Sequence, residues 1–188
     1  MTTGSSRAAK RSRRRGFTLI ELLAAVAIMG ILAAIGIYSM RRYLNVAQSS
    51  EATAMIQNIR AAEESYKAET LTYWSCSSSL ASLYPNTAPN SHSSAWVNAG
   101  HSDYAKWKTL NVSSDGPVRF GYSAVAGNPG DALPTDTALN PQPSWPATAN
   151  ANPWYVVQAV GDRDDNGIQA VFVGSSIGGE IMVMNPSE

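Results

Sequence analysis

Three groups of residues have the types and spacing to do chemistry. The first is Glu21, a lone carboxylate four residues past Phe17 in the run "FTLIELLAAVAIMGILAAIGIYSM". A carboxylate in hydrocarbon costs about 2.5–3.5 kcal/mol on insertion scales, so it needs a partner. Two partners fit. Arg14 or Arg15 lies within reach if Glu21 sits near the interface. A free amine on another copy of the chain, exposed by a cut between Gly16 and Phe17, would serve equally in charge.

The second group is "GDRDDNG", which sets Asp162, Asp164 and Asn166 at alternate positions before Gly167. Oxygen ligands at every second residue followed by glycine open a calcium loop. The position where a bidentate glutamate would close that loop is Val173, and Asn-Gly is also a favoured hairpin turn. Calcium at Asp162, Asp164 and Asn166 is therefore an expectation set against a plain turn, and no other cofactor is expected. The third group is Cys76 with His92 and His101, a nucleophile and base on paper. No local signature supports them, and the chain is expected not to be an enzyme. With one cysteine there is no intrachain disulfide and no multi-cysteine zinc site.

These residues need elements to position them. The chain has 188 residues, 44 % apolar and only 15 % charged. Six of its 14 Lys and Arg precede Gly16: Arg7, Lys10, Arg11, Arg13, Arg14 and Arg15. From Phe17 onward eight basic residues face 14 acidic ones, a formal charge of −6. A basic tail beside an apolar run points to membrane orientation rather than nucleic acid, since flanking positive charge is held on the cytoplasmic side. Residues 17–40 form a helix long enough to cross a bilayer. Residues 41–70 contain no Pro or Gly, and Met55, Ile59, Ala62 and Tyr66 share one helical face. Glu63 and Lys67 are spaced for a helical ion pair. One helix from Phe17 to about Glu69 is predicted, half of it apolar all round and half striped.

The head follows. "SCSSSLASLYPN" has room for one short helix before Pro85, and "SDYAKWKTLNV" predicts another, started by Ser102 or Asp103, with Trp107 and Leu110 inward. "PVRFGYSAVAG" alternates, with Val118, Phe120, Tyr122 and Ala124 on one face. Residues 127–153 hold six prolines and read as a long surface loop. Trp145 within it is a candidate contact to another subunit. "PWYVVQAVGD", with Trp154, Val156 and Val160 on one face, then "IQAVFVG" and "EIMVMN", predict three more strands in an antiparallel meander. The fold class is α+β: a long N-terminal helix packed against an antiparallel sheet of about four strands. Its parts are residues 1–16, 17–40, 41–70 and a head at 71–188, itself a loop region (71–116) and a sheet (117–188).

The segment "RRRGFTLIELLAAVAIMGILAAIGIY" resembles the N-terminus of type IV prepilins and of type II secretion pseudopilins. Gly16, Phe17, Thr18, Leu19, Ile20, Glu21, Leu22 and Gly30 carry the likeness. Many members of that superfamily have a proline where this chain has Tyr38, which removes a helix breaker here. The resemblance implies that 1–16 is a leader cut after Gly16 by a prepilin peptidase, which also N-methylates Phe17. It implies that Glu21 neutralises the Phe17 amine of a neighbouring subunit during assembly. The expected partners are copies of the chain or related pilins, the peptidase, the inner-membrane assembly machinery and the membrane. The expected location is a single-pass inner-membrane protein that becomes a surface filament or a periplasmic pseudopilus. Adhesion, motility, DNA uptake and secretion are the functions of the class. Within the class, a minor pilin or a type II secretion pseudopilin is the alternative to a pilus structural subunit. Two further readings compete: a signal-anchored extracellular binding protein that never polymerises, and an anchored hydrolase using Cys76 or His101.

Overall fold

A computed structural model describes residues 16–186. The basic segment that precedes Gly16, with Arg14 and Arg15, lies outside the described residues. The chain divides into two units, Met1–Arg41 and Arg42–Glu188. Helix α1 (Leu19–Thr70) begins in the first and ends in the second. It is helical through Tyr38, where nothing in the sequence breaks it. In the first unit Leu19–Met40 is 22 residues long and apolar enough to cross a membrane, and its described side chains are exposed.

In the second unit α1 is amphipathic. Ala52, Met55, Ile56 and Ile59 are buried, with Ala62 and Tyr66 packed beside them. The helix stops at Leu71, which adopts a left-handed φ of 66° while its N–H still reaches the Lys67 carbonyl at 2.8 Å. That local bond uses one of the carbonyls a helix end leaves over.

Four strands follow: β1 (Gly121–Gly127), β2 (Trp154–Gly161), β3 (Ala170–Ser175) and β4 (Met182–Met184). They form one antiparallel sheet in the order β1-β2-β3-β4. Register follows alternation. Tyr122, Ala124, Tyr155, Val157, Ala159 and Phe172 point to the α1 side, and Val118 and Phe120 join them just ahead of β1. Trp154, Val156, Val160, Val171 and Val173 point the other way. Two approaches are close enough to require glycine. A Cβ at Gly174 would lie 2.8 Å from the Ile56 side chain, and one at Gly127 would lie 2.4 Å from the Trp154 ring.

Helix α2 (Tyr104–Leu110) buries Trp107 and Leu110 as the sequence predicts. Three expectations are corrected. Residues 75–86 form no helix, only turns and an isolated bridge. Ser hydroxyls there bond to the backbone instead, as Ser75 Oγ does to the Ser77 carbonyl at 3.2 Å, a use of serine that competes with helix. The Pro-rich segment 127–153 is not simply a surface loop. Leu139 is buried, and Leu133, Ala138 and Trp145 pack on the sheet face turned away from α1. Gln158, itself buried, fastens that cover: its Oε1 accepts the Ala138 N–H at 2.7 Å, and its Nε2 donates to the Leu80 carbonyl at 3.2 Å. Finally, the Glu63–Lys67 pair does not form. Lys67 Nζ donates to the Tyr73 hydroxyl at 3.0 Å and lies over its ring, and Tyr73 donates on to Glu64 at 2.8 Å.

Candidate functional site

The first unit carries the strongest candidate. Thr18 stands immediately before α1, and its hydroxyl oxygen accepts the Glu21 N–H at 3.3 Å. In return Glu21 Oε2 accepts the Thr18 N–H at 2.9 Å and the Thr18 hydroxyl at 2.8 Å. This is a capping box, in which the cap residue and the glutamate three positions later satisfy each other's backbone donors. Glu21 also lies in the first helical turn, where the positive end of the helix dipole favours an anion. The carboxylate therefore has an intrachain partner, Thr18, which the search for a cation at this position overlooked. The signal was in the sequence as Thr-x-x-Glu ahead of an apolar run.

This cap ties the carboxylate to the backbone and hydroxyl of Thr18. Both bonds from Thr18 fall on Oε2, and among the described residues no donor reaches Oε1. Gly16 and Phe17 are exposed and non-helical. A Cβ at Gly16, Gly30 or Gly36 would meet nothing within 4 Å. The fold of a single chain gives no reason for these glycines. On an apolar helix, glycine lets a second helix approach closely.

The other candidates are placed as follows. Asp162, Asp164 and Asn166 come together in the β2–β3 turn, where Asp165 and Gly167 take left-handed φ values of 57° and 84°. Their oxygens serve the turn itself. Asp162 accepts the N–H groups of Asn166 at 3.2 Å and Gly167 at 2.9 Å, and Asn166 Oδ1 accepts that of Ile168 at 2.6 Å. Among the described residues no group of three or more His, Cys, Asp or Glu is gathered so as to hold a metal ion. Trp145 donates its indole N–H to the Pro134 carbonyl at 2.9 Å, within its own segment.

Cys76 is fully buried, and burial, with Glu63 and Asp103 adding to it, pushes its thiol well above the usual range. His101 faces the Leu83 carbonyl at 2.9 Å through Nε2 and accepts the Asp103 N–H at 3.1 Å through Nδ1. His92 is exposed beside Ser91. A protonated, buried thiol and a histidine occupied on both nitrogens are poor material for nucleophilic chemistry. Sequence reasoning missed Asp103 as a junction. This buried carboxylate accepts from Ser78 at 3.0 Å, Ser82 at 2.5 Å and Lys106 at 3.0 Å, the last an ion pair. Burial opposes its charge, but these donors outweigh it and hold the carboxyl below its ordinary range.

The family model for the prokaryotic N-terminal methylation motif matches residues 11–37. The type IV major pilin protein PilA of Myxococcus xanthus is 44 % identical over 57 residues, 30 % of this chain and 26 % of the relative. The type II secretion system core protein G of Pseudomonas aeruginosa is 32 % identical over 92 residues, 49 % of this chain and 65 % of the relative. The match thus spans less than two thirds of either relative's length. No solved structure matches the chain. The chain thus carries the prokaryotic N-terminal methylation motif and is similar, over part of its length, to a type IV pilin and to a type II secretion core protein, with an apolar N-terminal helix followed by a four-stranded antiparallel sheet.

Proposed function

We propose that this chain is a structural filament subunit, cut between Gly16 and Phe17, N-methylated at Phe17 and packed through residues 17–40 into a helical polymer. Before assembly it is a single-pass membrane protein with its basic segment in the cytoplasm. Assembly replaces lipid around the apolar helix with the same helix of other copies, at glycine positions that admit close packing. Glu21, capped by Thr18, neutralises the new ammonium of a neighbouring copy and so sets the axial register. The peptidase and an inner-membrane assembly apparatus are the partners this route requires. The observation that supports the reading is the methylation motif at 11–37, which runs into an exposed apolar helix whose only charge is capped by Thr18.

A type II secretion pseudopilin is the second reading. It is favoured by the likeness to core protein G, which covers 92 residues, against 57 for the pilin. Neither relative is a non-polymerising binding protein by its printed description, and no finding supports that alternative. Mass spectrometry of the N-terminal peptide in sheared surface material and in membranes separates the readings. A methylated peptide starting at Phe17 in the sheared fraction establishes a surface pilus subunit. The same peptide confined to membranes favours a minor pilin or a pseudopilin. A chain that keeps Gly16 joined to Phe17 in both fractions overturns both.

A further inference from the structure

Glu63 lies on the buried stripe of α1 with no exposed surface, among Ile59, Ala62 and Tyr66. Its Oε2 accepts the Trp74 N–H at 2.9 Å, and its Oε1 is buried with no hydrogen-bond partner. A carboxylate so placed needs a cation, and the neighbouring ones are spent elsewhere. On α1, Arg60 donates to the carbonyls of Gly178 and Gly179 at 3.3 and 3.1 Å, and Lys67 donates to Tyr73. From α2, Lys106 is paired with Asp103. The other titratable groups around it are Glu64 and Tyr66 on α1, Tyr73 and Cys76 on the following segment, Asp103 and Tyr104 on and before α2, and Tyr155 on β2. Ionised, these are negative or neutral. Burial, then repulsion from Glu64, pushes the Glu63 carboxyl up to about 8, against the opposing Trp74 hydrogen bond.

We propose that Glu63 is a proton-operated latch: as a neutral acid it holds the segment that leaves α1, through Trp74, against the helix, and on losing its proton it releases that segment. Other ties hold the same segment, among them Tyr73 to Lys67 and Glu64, and Ser75 Oγ accepting the Ala126 N–H at 3.4 Å. Trp74 Nε1 donates to the Lys106 carbonyl at 3.0 Å, and Ser77 exchanges bonds with Ala124 at the β1 edge. A carboxylate left in that pocket carries an uncompensated buried charge, and admitting water is the way to relieve it. The surface that changes is thus the junction between the helix and the head, 71–77, beneath which Cys76 is buried.

Cys76 is the only cysteine, so a thiol probe reads this opening directly. The full chain in detergent micelles is labelled with a maleimide at about pH 6.5 and about pH 9.5, each rate divided by that of the unfolded chain at the same pH. The normalised rate rises about tenfold or more in the native chain and stays flat in Glu63→Gln, whose amide keeps the Trp74 acceptor without a titratable proton. An equal rise in Glu63→Gln, or a flat native profile, overturns the latch. If Glu63→Gln fails to fold by circular dichroism, infrared spectra of the native chain decide: a protonated buried carboxylic acid at neutral pH that disappears as Cys76 opens upholds it. A carboxylate already ionised at neutral pH in the folded chain refutes it.

Discussion

The Ile56 side chain on α1 stands 2.8 Å from the point a Cβ on Gly174 of β3 would occupy. Helix and sheet touch there with no room for a methyl group, 118 residues apart in sequence. Gly174→Ala is expected to destabilise the head by roughly 1–3 kcal/mol, the usual cost of overpacking a tight contact. Urea denaturation in micelles measures it. Trimming the other side with Ile56→Val should recover part of the loss; a fully additive double variant would show that the contact is not what Gly174 serves.

Thr18 and Glu21 cap each other, so Thr18→Ala removes one acceptor and one donor from the start of α1. The expected cost is about 0.5–2 kcal/mol of local helix stability. Amide exchange at residues 19–22 reads it, and Thr18→Ser should restore native protection.

Assembly should depend on the Glu21 charge rather than on its hydrogen bonds alone. Glu21→Gln keeps a cap and loses the charge. It should be cut and methylated as usual yet be depleted at least tenfold from filaments, because an unpaired ammonium in apolar surroundings is strongly disfavoured. Normal amounts in the sheared fraction would remove Glu21 from the assembly contact.

Glu63 and Asp103 bend the stability profile in opposite directions. Glu63 is raised from 4.5 to about 8 in the folded chain, so the fold holds the extra proton between those values and stability falls as pH climbs through them. The loss is roughly 3–5 kcal/mol across that window. Thermal melts from about pH 4.5 to 9 should show the decline in the native chain and a nearly level profile in Glu63→Gln.

Asp103 is lowered, so its stabilisation is present above its ordinary 3.8 and is lost as acid protonates it in the fold. Asp103→Asn should cost about 1–3 kcal/mol at neutral pH, because Ser78, Ser82 and Lys106 lose a charged acceptor. Melts of this variant should show less acid sensitivity than the native chain.

Much of this was legible in the residues. The apolar run marked a helix long enough to cross a membrane, and the spacing of Met55, Ile59, Ala62 and Tyr66 marked the stripe packed into the core. Alternation placed Phe120, Tyr122 and Ala124 together and Trp154, Val156 and Val160 opposite. Glu63 was misjudged because periodicity reads a carboxylate as solvent-facing, and its burial is decided by Trp74, 11 residues on. The role of 127–153 was hidden for a related reason. Prolines announce irregular backbone, but whether it covers a sheet depends on distant partners such as Gln158. Asp103 was visible as a helix start, yet its three donors come partly from the Ser-rich segment that sequence read as helix.

The stem's buried stripe is covered by residues far along the chain, among them Tyr122, Tyr155 and Phe172 of the sheet. Arg60 is fastened to Gly178 and Gly179, and the Ser49 hydroxyl donates to the Pro186 carbonyl, 137 residues later, at 2.5 Å. During synthesis the helix is thus complete long before its cover exists. Contacts of such separation form late and slowly. For that interval Met55, Ile56 and Ile59 lack their cover, and transiently exposed apolar surface of this kind is prone to aggregation.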